Sequence, residues 1–317
     1  MDKLKKVGLT ALGTALVSTA SYAGDMAVTG SAQITFAGND NTVTGNGWSM
    51  SDTLTFAGSG ELDNGWTVSL TMAIDGGTND ANDIKIDMGD AGALNFAGTD
   101  GSGPVGGWDD MMPTANEESW ANSAGTKSTI ASAAIGDNAF TYTNSTMMEG
   151  LAIELFYLPS NDGATTDAGG AEAASSTQWG AKYTGIEGLE IGYAGGDNEQ
   201  SATNVIENTV LYAKYTMDAF TLGVQANDVD QQTASADTDF KAFGVSYAAT
   251  DELSVSFGTS DVEHENSSLG DQEAQAISFS YVSGGMTISG SMANVDNVGG
   301  VKTTDNSGYE LNVAFAF

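Results

Sequence analysis

The sequence predicts an all-β protein, a transmembrane up-and-down antiparallel β-barrel of about 16 strands. Three observations support this fold class. Apolar and polar side chains alternate along many segments of about ten residues, short turns alternate with longer acidic loops, and the N-terminus has the layout of a secretory leader. The leader predicts export from the cytoplasm, and the alternation gives each strand two chemically different faces.

The composition of the 317 residues excludes several classes of protein. There is no cysteine, so neither disulfides nor thiolate metal sites are available. All nine basic residues are lysine, and they face 42 acidic residues, which gives a formal net charge of −33. Phosphate backbones are bound by clustered lysine and arginine, so a nucleic-acid partner is excluded. With 40 % apolar residues the chain is also too hydrophobic to be disordered.

The first segment is predicted to be a signal peptide spanning residues 1–23. Lys3, Lys5 and Lys6 precede an apolar stretch, and cleavage is expected after Ala23. Its removal would leave six lysines against 41 acidic residues, a formal charge of −35 on residues 24–317. No apolar stretch of about 18 residues follows the leader, so a helical membrane span is not expected.

The rest of the chain alternates with a period of two residues, which is typical of strands. In the first such segment the apolar or small positions are Val28, Gly30, Ala32, Ile34 and Phe36, with polar residues between them. Sixteen segments of this kind are predicted as strands, near residues 26–37, 49–60, 66–75, 82–88, 93–98, 138–145, 151–158, 177–184, 189–195, 206–216, 220–227, 239–248, 252–260, 273–283, 286–294 and 306–317. Between them, short turns alternate with acidic loops, and the third of the long loops, residues 99–137, is the longest.

Periodicity alone does not decide whether the apolar face meets lipid or a partner sheet in a soluble sandwich. The leader and the number of strands favour the membrane. So do aromatic residues near strand ends, where interfacial girdles lie in outer-membrane barrels: Trp66, Tyr157, Trp179, Tyr193, Tyr215, Tyr281 and Tyr309. The apolar face is therefore expected to contact hydrocarbon, and the polar face to enclose water.

With these features the chain resembles the Gram-negative general porins, most closely the alphaproteobacterial type, over residues 24–317. The resemblance rests on the strand rhythm, the opening segment 28–38, the long third loop and the alternating C-terminus that ends in Phe317. It implies a homotrimer in the outer membrane of a Gram-negative bacterium that passes small hydrophilic solutes by passive diffusion. It also implies that loop 99–137 folds into the barrel as a constriction, with Asp109, Asp110, Glu117 and Glu118 facing the passage. Phe317 resembles the signal read by the outer-membrane insertion machinery.

Charged residues on the polar face predict the preference of such a channel. By strand parity the inward lysines are Lys85, Lys182 and Lys214, and the inward acids are Asp87, Glu154, Glu190 and Glu310. Lys241 has the opposite parity and is expected to lie at a strand end. General porins usually oppose the loop acids with arginines, and this chain has none. An acidic, arginine-free lumen is expected to prefer cations.

Two alternatives remain open at this level. One is a secreted calcium-binding β-rich adhesin or surface-layer protein, which the glycine-rich, acidic, cysteine-free composition suits equally well. Oxygen ligands also cluster in segments 75–83 and 261–265, so loop-bound Ca²⁺ stays open, although neither segment matches an EF-hand. A substrate-specific channel is not separable from a general one. The single histidine, His264, is expected to be solvated, and no catalytic constellation is apparent, so the chain is not expected to be an enzyme and needs no cofactor.

Overall fold

The structure is a computed structural model that describes residues 26–40, 47–120, 131, 133–159, 175–201, 204–232 and 236–317. The predicted signal peptide, with its cleavage residue Ala23, lies outside the described residues. So do parts of several predicted loops, including residues 121–130 of the third long loop. Among the described residues, no helix has the length and hydrophobicity required to cross a membrane.

The predicted barrel is confirmed as a closed antiparallel sheet of sixteen strands, each bonded to its neighbours in sequence. The strands are β1 (Met26–Asn39), β2 (Trp48–Glu61), β3 (Thr67–Asp75), β4 (Thr78–Asp87), β5 (Ala93–Thr99), β8 (Ala139–Met148), β9 (Leu151–Leu158), β10 (Ser176–Ile186), β11 (Leu189–Ser201), β12 (Asn204–Met217), β13 (Phe220–Gln231), β14 (Thr238–Ala248), β15 (Leu253–His264), β16 (Gln272–Ser283), β17 (Met286–Asp296) and β18 (Asn306–Ala316). The remaining two strands, β6 (Gly101–Ser102) and β7 (Ile135–Gly136), pair at the base of the third long loop. Between β6 and β7 lies a single helical turn, α1 (Pro104–Gly107).

The first and last strands close the barrel. Ala32 pairs with Phe315 and Phe36 with Leu311 in an antiparallel register. The last residue extends this ladder, because Gly30 and Phe317 exchange two backbone hydrogen bonds of 2.8 and 3.0 Å. The ring of Phe317 covers the space beside Gly30. The small size of Gly30 therefore makes room for a side chain of the same barrel.

The two faces of the wall differ as the alternation predicts. Along β13 the outward residues are exposed and the inward ones are buried, so Leu222 and Val224 are exposed while Thr221 and Gln225 are covered. Large apolar side chains are exposed around the outside, among them Leu70, Leu211, Phe220, Ile277 and Met292. Exposure on this scale is unusual for a soluble protein and is expected for a surface in contact with lipid.

The connection between β3 and β4 is shorter than predicted. Strand β4 begins at Thr78 rather than near residue 82, so β3 and β4 are joined by Gly76 and Gly77 alone. Both glycines have positive φ, 54° and 82°, which suits a tight two-residue hairpin turn. The segment proposed to hold Ca²⁺ is thus mostly strand, and Asp261 and Glu263 likewise belong to β15. Among the described residues, no three acidic or histidine side chains converge as metal ligands.

Acidic side chains form a band on the outer surface, at the ends of β11–β17 that adjoin the long loops. We call this set the carboxylate belt. Its members oppose one another directly across neighbouring strands, since Asp228 pairs with Asp239 and Asp239 with Glu263. The nine residues are Asp197, Glu207, Asp228, Asp230, Asp239, Asp261, Glu263, Glu273 and Asp296. Lys241, also outward, bonds Glu263 at 2.6 Å and is exposed, as its parity predicts.

His264 is not freely solvated, contrary to expectation. It ends β15, and its Nε2 atom is buried with no hydrogen-bond partner among the described residues. The ring lies against Gly300, where an added Cβ atom would come within 2.9 Å of Nε2. The loops that follow β15 and β17 pack together at this point, which the sequence of either loop alone does not reveal.

Candidate functional site: a loop held against the inner wall

The segment between β5 and β8, residues 100–138, is called the inner loop here, because its described part lies against the inward face of the barrel. It leaves the wall through the β6–β7 pair and makes the turn α1. From there residues 108–120 run across the inward faces of β10 to β18. Three kinds of contact hold this path: hydrogen bonds to buried amide side chains, hydrogen bonds to hydroxyl groups, and rings packed against glycines or against other rings.

Long amide side chains of the wall bind the backbone of the first part of the inner loop. Gln178 accepts a hydrogen bond from Val105 N–H at 2.9 Å and donates to the Ala134 carbonyl at 3.0 Å. Gln225 repeats the arrangement. It accepts from the backbone N–H of Met111 at 2.8 Å and donates to the Trp108 carbonyl at 3.0 Å.

These amides satisfy backbone groups that would otherwise be buried without partners. Gln178 and Gln225 are 3 % and 4 % exposed. Next to Gln225 along β13, the amide of Asn227 donates to the Asp109 carbonyl at 3.0 Å. Unpaired polar groups in such places are costly, so these contacts fix the path of the loop.

Hydroxyl groups hold the second part. The backbone N–H of Ala115 donates to Ser256 Oγ at 2.9 Å, and that of Asn116 to Ser278 Oγ at 3.2 Å. The Asn116 side chain continues the chain of contacts. It donates to Glu310 at 2.8 Å and accepts from Ser289 Oγ at 2.6 Å.

Ring contacts complete the attachment. Trp108 lies over Gly180 and meets the edge of Tyr212, with ring centroids 6.3 Å apart. Trp120 is buried against Phe240, with centroids 4.9 Å apart. Pro113 occupies the space over two inward glycines, Gly223 and Gly244. A side chain at either glycine would push the loop away from the wall.

The hydrogen bonds described above all reach β10–β18, which we call the loop-bearing wall. The opposite wall, β1–β4, is called the open wall. On β1–β3 its inward positions carry mainly hydroxyl groups: Thr29, Ser31, Thr35, Ser49, Ser51, Thr53, Thr55, Ser59, Thr67, Ser69 and Thr71. A polar surface thus faces the inner loop from across the barrel.

The charged residues predicted to line the lumen occupy the inward positions of β4, β9–β12 and β18. Glu190 and Lys214 oppose each other across β11 and β12 and form a salt bridge of 3.1 Å. Tyr212 donates to the same carboxylate at 3.0 Å. Lys182 lies near enough to Glu154 for their charges to interact, and its Nζ is 5.9 Å from the centre of the Trp108 ring.

The other predicted residues have more local contacts. Asp87 accepts a 2.9 Å hydrogen bond from the backbone N–H of Gly89 and so caps the β4–β5 turn. Lys85 lies close to Asp83, on the same strand. Glu310 accepts from Asn116 and also from Asn312 at 3.0 Å, so it helps to hold the loop.

The four loop acids predicted at a constriction lie along the attached segment. Asp110 is exposed, and Asp109, Glu117 and Glu118 are half-buried. Glu117 and Glu118 border a small cavity between the loop and the wall. Sequence reasoning did not identify Gln178, Gln225 and Asn227 as anchors. The available signal was a long amide at an inward, mid-strand position, where Ser or Thr is the more common choice in this chain.

Comparison with known proteins agrees with this architecture. A family model described as Gram-negative porin matches residues 8–281. A search of curated protein sequences finds no match.

Solved porin structures share the fold at low sequence identity. The anion-selective porin of Comamonas acidovorans has a TM-score of 0.73 at 13 % identity, covering 93 % of this chain and 100 % of that one. OmpF of Salmonella typhi in complex with daunomycin has a TM-score of 0.70 at 12 % identity, covering 93 % and 98 %. OmpT, an outer membrane protein of Vibrio cholerae, has a TM-score of 0.69 at 12 % identity, covering 94 % and 99 %. The chain belongs to the Gram-negative porin family, and it is a channel protein of the outer membrane rather than an enzyme.

Proposed function

We propose that the protein is a passive diffusion channel for small hydrophilic solutes and that it prefers cations. The passage runs between the open wall and the inner loop, and the loop sets the upper size of the solute. Hydroxyl groups on one side and the loop on the other give a polar path without an energy source or bound cofactor.

The observation that carries the preference for cations is the placement of the inward lysines. Each lies beside a carboxylate: Lys214 bonds Glu190 at 3.1 Å, Lys182 neighbours Glu154, and Lys85 neighbours Asp83. The chain has no arginine, and among the described residues each inward lysine is next to a carboxylate, so this part of the wall lacks a positive cluster of the kind that would attract anions. A low-dielectric wall strengthens the effect of the remaining negative charge on ions in the lumen.

We assign Asp109, Asp110, Glu117 and Glu118 to the narrow part of the passage. The wall residues are Lys85, Asp87, Glu154, Lys182, Glu190, Lys214 and Glu310. The Comamonas porin is described as anion-selective although it has the same fold. The fold therefore does not determine the sign of the preference, and the lining charges do.

We also propose a homotrimer. The outer face of the open wall exposes apolar side chains such as Val28, Met50 and Leu70, and its β3–β4 hairpin is short. This face lacks the carboxylate belt, so a second barrel could pack on it without opposing rows of like charge. A trimer form is described for OmpT of Vibrio cholerae. Residues 1–23 would be removed on export, and Phe317 would direct insertion into the outer membrane.

The channel proposal is tested by liposome swelling. Proteoliposomes should swell with small sugars at rates that fall steeply with sugar size, because the inner loop limits the passage. Equal swelling with and without protein would contradict a diffusion channel.

The preference is tested in planar bilayers under a KCl gradient. The reversal potential should have the sign of a cation-preferring pore and should shrink at high salt, where lining charges are screened. A potential of the opposite sign would contradict the proposed preference and leave the channel itself intact.

A further inference from the structure

We propose that a niche in the lumen wall binds small zwitterions, that is, free amino acids and short peptides that carry both an ammonium and a carboxylate. The proposal rests on the function proposed above and specifies a solute class for it. The niche lies beside the inner loop, on the side of the short turns, between β4 and β10.

The niche is a cavity of about 540 Å³, large enough for a dipeptide. Its lining includes Lys85 and Asp87 of β4, Glu154 of β9, Lys182 of β10 and Trp108 of the inner loop. Both signs of charge therefore face one space, beside an aromatic ring.

The two lysines of the niche make no direct ion pair. Neither Lys85 nor Lys182 has a carboxylate oxygen of any described residue within 4.0 Å. The cause for Lys182 is its register. It opposes Ala152 on β9, whereas Glu154 opposes Gly180, so Lys182 and Glu154 are diagonal neighbours. Diagonal positions stand farther apart than directly opposed ones.

The neighbouring charged pair on β11 and β12 has the directly opposed register instead. Glu190 and Lys214 oppose each other directly, and they close into a 3.1 Å salt bridge that Tyr212 completes. That pair is satisfied within the protein. The open pair in the niche leaves an ammonium and a carboxylate separated by a gap that a solute with the opposite arrangement of charges can bridge.

The floor of the niche is held in place before any solute arrives. The β4–β5 turn forms it, and the carbonyl of Asp90 in that turn accepts hydrogen bonds from Asn144 at 3.2 Å and Thr146 at 2.9 Å. Binding to a preorganised site is tighter, because less conformational entropy is lost when the ligand binds.

The charges select a zwitterion over a simple ion. Lys85 and Lys182 face Asp87, Asp90 and Glu154 in the lining. An anion would be attracted to the lysines and repelled by the carboxylates, and a cation would experience the reverse. A zwitterion can place its carboxylate near Lys182 and its ammonium near Glu154, so both ends gain charge-assisted hydrogen bonds.

The test uses three probes of similar size: glycylglycine as the zwitterion, N-acetylglycine as the anion and glycylglycinamide as the cation. Binding is followed by saturation-transfer NMR on the detergent-solubilised protein, which does not require conduction, and by block of KCl current in planar bilayers. Glycylglycine should bind saturably. Lys182→Met and Glu154→Gln should each weaken that binding about tenfold, and Lys182→Arg should retain most of it.

The matched control is Lys241→Met, which removes the exposed 2.6 Å ion pair with Glu263 on the outer surface and should change glycylglycine binding less than about twofold. Absence of saturable binding, or equal binding by either of the singly charged probes, would contradict the niche. Wild-type affinity in both Lys182→Met and Glu154→Gln would do the same. A protein that binds glycylglycine by NMR but conducts no KCl would contradict the diffusion channel and leave the binding site standing.

Discussion

The loop-bearing wall and the open wall are built from the same alternating strands, yet they differ on both faces. On the inside, β10–β18 carry amides, serines and glycines that hold the inner loop, whereas β1–β3 carry mainly Ser and Thr. On the outside, β11–β17 carry the carboxylate belt, whereas the outward face of β1–β4 is largely apolar. The strand period fixes which residues share a face, and the side chains placed there decide what each part of the barrel does.

The largest effect is expected from the anchors of the inner loop. The double variant Gln178→Leu and Gln225→Leu leaves four loop backbone groups without their partners, at about 1–3 kcal/mol for each group that stays buried. We expect a clearly lower thermal stability of the folded barrel and a noisier, larger single-channel current. Heat-dependent gel mobility and bilayer recordings measure both.

The control for the anchor variant is a double substitution of two polar residues on the open wall. Thr53→Val and Thr55→Val remove inward hydroxyl groups that face the loop from across the barrel. This pair should leave the current noise unchanged. An equal loss of stability in the two double variants would contradict the assigned difference between the walls.

A second effect concerns ion preference. Neutralising the loop acids by Asp109→Asn, Asp110→Asn, Glu117→Gln and Glu118→Gln should lower the cation-to-anion permeability ratio at least about twofold, because we assign these charges to the narrow part of the passage. Reversal potentials at low salt give the ratio.

Four substitutions in the carboxylate belt provide the comparison with the loop acids. They change the net charge by the same amount, but on the outer surface: Asp228→Asn, Asp239→Asn, Glu263→Gln and Glu273→Gln. Their separation from the lumen by the wall should leave the ratio nearly unchanged, because exposed charges are screened over about 8 Å at physiological salt. If both sets shift the ratio equally, net charge rather than placement governs permeation.

The smallest effect is expected from the belt itself. Glu273 opposes Asp261 on one side and Asp296 on the other. Like charges directly opposed across strands are destabilising, so Glu273→Gln should stabilise the barrel by about 0.2–1 kcal/mol at low salt and by less at high salt.

Asp52 supplies the matched acid on the open wall. It is exposed on the outward face of β2 and opposes Ala32, so Asp52→Asn relieves no like-charge pair. Unfolding midpoints at two salt concentrations distinguish the variants. If Asp52→Asn stabilises the barrel as much as Glu273→Gln does, the direct opposition of like charges across strands is not the cause of the stabilisation.

The sequence was sufficient for the sheet because a period of two is a local property. All sixteen barrel strands were predicted. The largest boundary error is the end of β11, at Ser201 rather than near residue 195, and β4 begins at Thr78 rather than near residue 82, where two glycines allow a tighter turn than expected. Strands β11–β15 extend further towards the long loops than predicted. The acidic residues of the belt interrupt the apolar alternation there without ending the backbone pairing.

The site was less predictable because its contacts are distant in sequence. Parity placed Glu310 and Lys182 on the inward face, but nothing near Glu310 indicates that it holds Asn116, 194 residues away. In the same way, the packing of Trp108 on Gly180 and of Pro113 on Gly223 depends on how the inner loop crosses the wall. Local patterns predict which face a residue occupies, and they do not predict which distant partner it meets there.

The most direct measurement uses the absence of cysteine in the chain to test the two faces. Single cysteines at four successive positions of β2, Thr53→Cys, Leu54→Cys, Thr55→Cys and Phe56→Cys, would be treated in proteoliposomes with a charged, membrane-impermeant thiol reagent. The first and third variants should react, because they line water, and the second and fourth should be protected by lipid. Reaction at Leu54→Cys and Phe56→Cys with protection at Thr53→Cys and Thr55→Cys, or equal reaction at all four, would contradict a water-filled barrel with a lipid-facing outer surface.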